Sequence, residues 1–205
     1  GVAIDMPAGP SEVAIWADES AVPSFIAADL LSQAEHGPDS QVILVSTSRE
    51  VISEVAAALS TQLEALPRKD IAHRAIGNSK AFLVDNGQDA LDLINAYAPE
   101  HLILSIENAE SVSEKVINAG SVFLGNYTPE SCGDYASGTN HTLPTNGHAR
   151  AYSGVSLDSF TKKITFQHIT PAGLQLLGPT VEAMAEAETL TAHKRAVSIR
   201  LSTLN

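Results

Sequence analysis

Between residues 11 and 124, short apolar runs alternate with stretches whose apolar residues recur at helical spacing, and this alternation is the strongest constraint on the fold. The runs fall at 13–16, 42–45, 81–84, 102–106 and 122–124 and, apart from Ser105, are apolar throughout, as expected for strands covered on both faces. Val51, Ile52, Val55, Leu59, Leu63 and Leu66 form a helical stripe that stops at Pro67. Leu91, Ile94 and Tyr97 form a second that ends before Pro99, and Val112 and Val116 a third that stops at Gly120. The pattern predicts an α/β, Rossmann-like, mostly parallel sheet of about five strands with flanking helices. We expect this domain over residues 1–154 and an extended helical C-terminal tail over 155–205.

A polar stretch at 125–154, rich in Gly, Ser, Thr and Asn and broken by Pro129 and Pro144, is expected to be a long functional loop. Beyond it a short strand is expected at 163–167, then helices around 181–188 and 191–204. Two such helices bury little alone, which predicts packing on a partner subunit.

With 205 residues and 44% hydrophobic content the chain can bury a substantial core, and its apolar runs fall far short of the roughly 20 residues that span a bilayer. The net charge of -12 repels phosphate backbones, so neither nucleic acid nor membrane is an expected partner. The single cysteine, Cys132, cannot form an internal disulfide and fits a reducing, cytoplasmic setting. Gly1 rather than Met opens the sequence, and we read the chain as part of a longer one.

The predicted first helix, about 22–36, carries the most informative local pattern. At 100° per residue, Val22, Phe25, Ile26, Asp29, Gln33 and His36 share one face, so the core-facing stripe turns polar halfway along. Gln33 and His36 are close enough there to reach one ion, although such a pair also serves simply to cap or hydrogen-bond a helix end. Asp134, in the polar stretch after the last strand, is either a metal ligand or a turn-former.

Glu100 and His101 put a carboxyl beside an imidazole, two groups that do acid/base work near neutral pH; a solvated strand entrance is the plainer reading. Their place at the start of a strand also conflicts with the habit of open sheets to bind ligands at strand ends, which a site between domains or subunits would resolve. His193 shares a stripe with Leu190, Val197, Leu201 and Leu204, where a core or interface histidine is the default. Cys132 has no basic neighbour in sequence to lower its pKa, so a thiolate nucleophile is not expected. No G-x-G-x-x-G occurs, and a dinucleotide's pyrophosphate would bind elsewhere.

Six segments, DMPAGPSEV at 5–13, DLLSQAEHGPDSQ at 29–41, PEHL at 99–102, AGSVFLG at 119–125, GDYASGTNH at 133–141 and LTAHK at 190–194, together resemble histidinol dehydrogenase. The resemblance is to the C-terminal half of a family chain about twice as long, so an N-terminal half is missing. It implies oxidation of L-histidinol to L-histidine by way of L-histidinal, with two NAD, in histidine biosynthesis. It also implies a zinc ion held by Gln33, His36, Asp134 and His193, with Glu100 and His101 as the catalytic acid/base pair. Ser11, His141 and Glu188 match family positions that contact substrate, as do Gln33, His36, His101, Asp134 and His193. The family is a homodimer whose C-terminal tail reaches the other subunit, which implies that His193 completes the zinc site in trans. The competing expectations are a zinc-dependent hydrolase using the same ligands, with Glu100 as general base, and a non-catalytic metal-binding dimerisation fragment.

Overall fold

The computed structural model describes residues 6–204; Asp5, which opens the first family-like segment, lies outside the described residues. Five parallel strands, β1 (Glu12–Ala17), β2 (Gln41–Ser46), β3 (Lys80–Leu83), β4 (His101–Ser105) and β5 (Ser121–Leu124), form one sheet in the order β3-β2-β1-β4-β5. The chain winds outward from β1 to β3 and then restarts at β4 on the other side of β1. Consecutive residues of β1 serve opposite faces, as the pleat requires. Val13, Ile15 and Ala17 pack with Ile26, Leu30 and Val55 on one face, and Ala14 and Trp16 pack with Leu91 and Ile94 on the other.

The first face is covered by α1 (Pro23–Ala34), α2 (Arg49–Glu64) and α3 (Lys69–Gly77), and the second by α4 (Gly87–Tyr97) and the short α5 (Ala109–Ser113). Caps set the helix starts. The Ser48 side chain accepts from Val51 N–H ahead of α2, and the Asn86 side chain accepts from the N–H groups of Gln88 and Asp89 ahead of α4. At the end of α4, Ala98 takes a left-handed conformation at φ 56° and turns the chain through Pro99 into β4. That turn delivers Glu100 and His101 to the N-terminal edge of the sheet.

Several sequence expectations need correction. The run at 81–84 predicted a strand covered on both faces, but β3 is the sheet edge and its residues are largely exposed, Leu83 at 44%. The first helix ends at Ala34, so His36 lies past the helix, and Phe25 is exposed and meets Tyr127 edge-on while Ala27, Leu30, Leu31 and Ala34 join Ile26 and Gln33 in the buried stripe. Helix α3 gives no apolar stripe in sequence because the residues it buries are Ala72 and Ala75. The polar stretch after β5 contains a helix, α6 (Glu130–Tyr135), and a single 3-10 turn at His148–Arg150.

The chain divides into two compact units, residues 1–161 and 162–205. In the second unit, the strand expected at 163–167 is absent, because no neighbouring strand pairs with it among the described residues. Helix α7 (Pro171–Ala187) starts ten residues before the expected helix, with Thr170 capping Gly173 N–H and Pro171 in the first turn, and it runs on through Pro179. Gly178 lets α8 (Thr191–Ser202) approach, since a Cβ there would lie 2.8 Å from Leu201 Cδ1. The pair buries only Gly178 and Ala185, and Leu176, Met184 and Ile199 stay exposed. No described helix is long and apolar enough to cross a membrane.

Candidate active site and metal centre

A pocket of about 420 Å³ opens on the first unit, lined by Ser11, Gln33, His36, Glu100, His101 and Asp134 together with Tyr135 and His141. Each sequence-predicted site residue of this unit thus faces one cavity. Glu188 and His193 lie on the second unit, after α7 and in the first turn of α8, and both are exposed. Cys132 is exposed on α6 and is not among the pocket residues.

The pocket sits at the N-terminal edge of the sheet, the opposite of the usual edge. Ser11 precedes β1, Glu100 precedes β4, and His101 pairs in register with Val13. Asp134 gets there because the chain, having left β5 at the C-terminal edge, doubles back. Gly133 lies against the Phe123 ring, where a Cβ would come within 2.6 Å of Cε1, and the next side chain reaches His101 Nε2 at 3.5 Å.

The backbone of Glu12 holds both Glu100 and His101. Glu12 N–H donates to Glu100 Oε2 at 2.8 Å, and Glu12 O lies 3.0 Å from His101 Nδ1. A carbonyl oxygen only accepts, so Nδ1 carries the proton and Nε2 keeps a lone pair. Nε2 is buried and has no hydrogen-bond partner among the described residues. Burial lowers the His101 pKa, against the pull of the Glu12 carbonyl and the Asp134 charge, so the imidazole is neutral at pH 7.

Glu100 is 6% exposed, and burial pushes its pKa up to about 7, assisted by the negative charges of Glu12 and Asp134 and opposed by the Glu12 N–H. A carboxyl poised there can both give and take a proton near neutral pH.

Behind the pocket lie two buried carboxyls that sequence reasoning missed. Glu12 is 5% exposed, its Oε1 accepts from Asn146 N–H at 2.9 Å, and burial raises its pKa. Glu130 is 1% exposed; burial drives its pKa up to about 8, the nearby charges of Asp134, Asp29 and Glu100 add to this, and the Ser32 hydroxyl opposes it. The available signal for Glu130 was its spacing four residues ahead of Asp134, which matters only once 130–135 is known to be helical.

These residues suit a metal. Ligand atoms of His36, Glu130 and Asp134 lie within 4.8 Å of one another, so small side-chain rotations bring imidazole and carboxylate donors onto one ion, with Gln33 on the same wall.

A neutral imidazole with an unpartnered nitrogen, a carboxyl pushed up to about 7 and a set of N and O donors, all on a parallel α/β sheet, are groups able to move protons near neutral pH and to hold a metal. The chain belongs to the histidinol dehydrogenase family, whose model matches residues 1–201. It is 64% identical over 203 residues to histidinol dehydrogenase of Bacteroides thetaiotaomicron, covering 99% of this chain and 47% of that protein. It is 54% identical over 205 residues to that of Yersinia pestis, covering 100% of this chain and 46% of that one. The crystal structure of histidinol dehydrogenase from Elizabethkingia anophelis superposes with a TM-score of 0.96 at 61% identity, over 100% of this chain and 47% of that one. The chain therefore spans about half the length of the relatives it matches.

Proposed function

We propose that this chain is the C-terminal half of a zinc-dependent, cytoplasmic enzyme that oxidises L-histidinol to L-histidine through L-histidinal, reducing two NAD. The observation that carries this reading is the His101 side chain, with Nδ1 tied to the Glu12 carbonyl and Nε2, 3.5 Å from Asp134 Oδ1, left without a hydrogen-bond partner among the described residues. His101 Nε2 takes the proton of the substrate hydroxyl as the alcohol becomes an aldehyde. Glu100 then takes a proton from water as that water adds to the aldehyde carbonyl, which gives the hydrate whose oxidation yields the carboxylate.

Gln33, His36 and Asp134 would hold the zinc ion with His193 of a partner subunit, and the ion supplies a fixed positive centre that orients the substrate's imidazole and amine. Ser11, His141 and Glu188 would position substrate by hydrogen bonding. NAD is the hydride acceptor in this reading. Homodimerisation is supported by the apolar side chains left exposed on the second unit, including Phe166 at 91% and Leu176 at 84%.

The test is a comparison of substrates. NADH formation driven by L-histidinol, with no cleavage of amides or esters, is expected; metal-dependent cleavage of an amide or ester without NAD reduction would contradict the reading and favour a hydrolase.

A further inference from the structure

We infer that Glu130 is a positioning residue that holds the amide of Gln33 in one orientation and so aims the Gln33 carbonyl oxygen into the pocket. Gln33 is 1% exposed at the last turn of α1, and Glu130 is 1% exposed at the first position of α6. The two amide orientations of a glutamine have the same shape, and only hydrogen bonding distinguishes them. With its nitrogen toward Glu130, Gln33 donates to Oε2 at 2.8 Å and to Oε1 at 3.3 Å; with its oxygen there, acceptor faces acceptor. Either protonation state of Glu130 keeps an acceptor at Oε2, so the orientation does not depend on its charge.

Glu130 is itself held in place. Its Oε1 lies 3.1 Å from the Ser32 hydroxyl, which is 2.8 Å from the Asp29 carbonyl oxygen. Both carboxyl oxygens thus have partners in Ser32 and Gln33, and Glu130 does not line the pocket while Gln33 does. A Glu130 oxygen does lie within 4.8 Å of ligand atoms of His36 and Asp134, but its bonds to Ser32 and Gln33 assign it the part of an outer residue that fixes a ligand. A glutamine amide is a weak metal donor with two interchangeable faces, so a site that uses one gains most from a residue that removes the wrong face. The inference rests on the reading of Gln33 as a donor to the metal.

Two variants and two readouts test it. Glu130→Gln keeps an acceptor for the Gln33 amide and can still pair with the Ser32 hydroxyl, whereas Glu130→Met fills the volume without an acceptor. In the metal-free chain, the side-chain NH₂ protons of Gln33 should be shifted and slow to exchange by nuclear magnetic resonance in the wild type and in Glu130→Gln, and ordinary in Glu130→Met. A Gln33 amide that already exchanges freely in the wild type would overturn the proposal whether or not the chain folds around the methionine, and an amide unchanged in a folded Glu130→Met would overturn it too. Zinc competition against a chromophoric chelator should then show Glu130→Met about 10- to 100-fold weaker than wild type and Glu130→Gln within about threefold. Equal losses in both variants would mean that Glu130 is a charged ligand, and would also overturn it. A wild type with the protected amide but no zinc affinity would instead contradict the zinc reading and leave the hydrogen bond standing.

Discussion

His101 Nδ1 lies 3.0 Å from the carbonyl oxygen of Glu12, while Nε2, on the other side of the ring, lies 3.5 Å from Asp134 Oδ1. One backbone carbonyl therefore fixes both the tautomer and the direction of the base. His101→Gln should lower kcat by about 10²- to 10⁴-fold with a much smaller change in KM, because an amide can occupy the space but cannot take the proton. Steady-state kinetics on L-histidinol checks this, and an unchanged kcat removes His101 from the role.

The buried carboxyls predict a pH dependence of stability in the metal-free chain. Burial pushes the carboxyls of Glu100 and Glu130 up to about 7 and about 8 in the folded chain, from an ordinary value of 4.5, so folding favours their protonated forms. Their contribution is fully present below about pH 4.5 and is lost as pH rises through 7 and 8. His101, its pKa lowered, acts with the opposite sign, but only below its ordinary value of 6.5, and so leaves the window above pH 7 to the carboxyls. The melting temperature in chelator should fall by more than about 3 °C between pH 6.5 and pH 9, with a smaller drop once zinc is added. A flat or rising profile contradicts the assignment.

Gly120 guards the geometry of the pair from the neighbouring strand. Its N–H donates to the Pro99 carbonyl oxygen at 2.9 Å, and a Cβ would lie 2.5 Å from the Glu100 carbonyl oxygen, a backbone atom that cannot swing away. Gly120→Ala should cost about 1–3 kcal/mol in denaturant unfolding and reduce kcat as well, since the strain falls on the residue before His101. A variant with wild-type stability and turnover would show that the edge of the sheet yields there.

Completion of the metal site by a partner subunit predicts complementation. His193→Ala and Asp134→Ala should each be inactive alone, yet denaturing and refolding an equal mixture should restore about a quarter of wild-type activity, because half the dimers then hold one intact site. No recovery in a mixture shown to contain heterodimers would place His193 in the same subunit as the rest.

Much of this was legible in sequence. The parallel sheet showed itself because β1, β2 and β4 are buried on both faces and read as unbroken apolar runs. The residues named by motif in the first unit all meet in one pocket, although Gln33 and Glu100 are 67 residues apart. What escaped were features with no periodicity of their own. Helix α3 buries alanines, and α6 is a turn and a half long with Gly133 inside it. Without α6, Glu130 had no place, and neither did its hold on Gln33 across 97 positions of sequence. The N-terminal edge position of the site was likewise hidden, because the return of the chain after β5 depends on the close contact between Gly133 and Phe123.

The most direct measurement is the amount of NADH formed per L-histidinol consumed, before and after metal removal by a chelator. Two NADH and one L-histidine are expected per L-histidinol, with turnover lost on chelation and restored by zinc. One NADH with accumulation of the aldehyde, or turnover indifferent to metal removal, would contradict the proposed function.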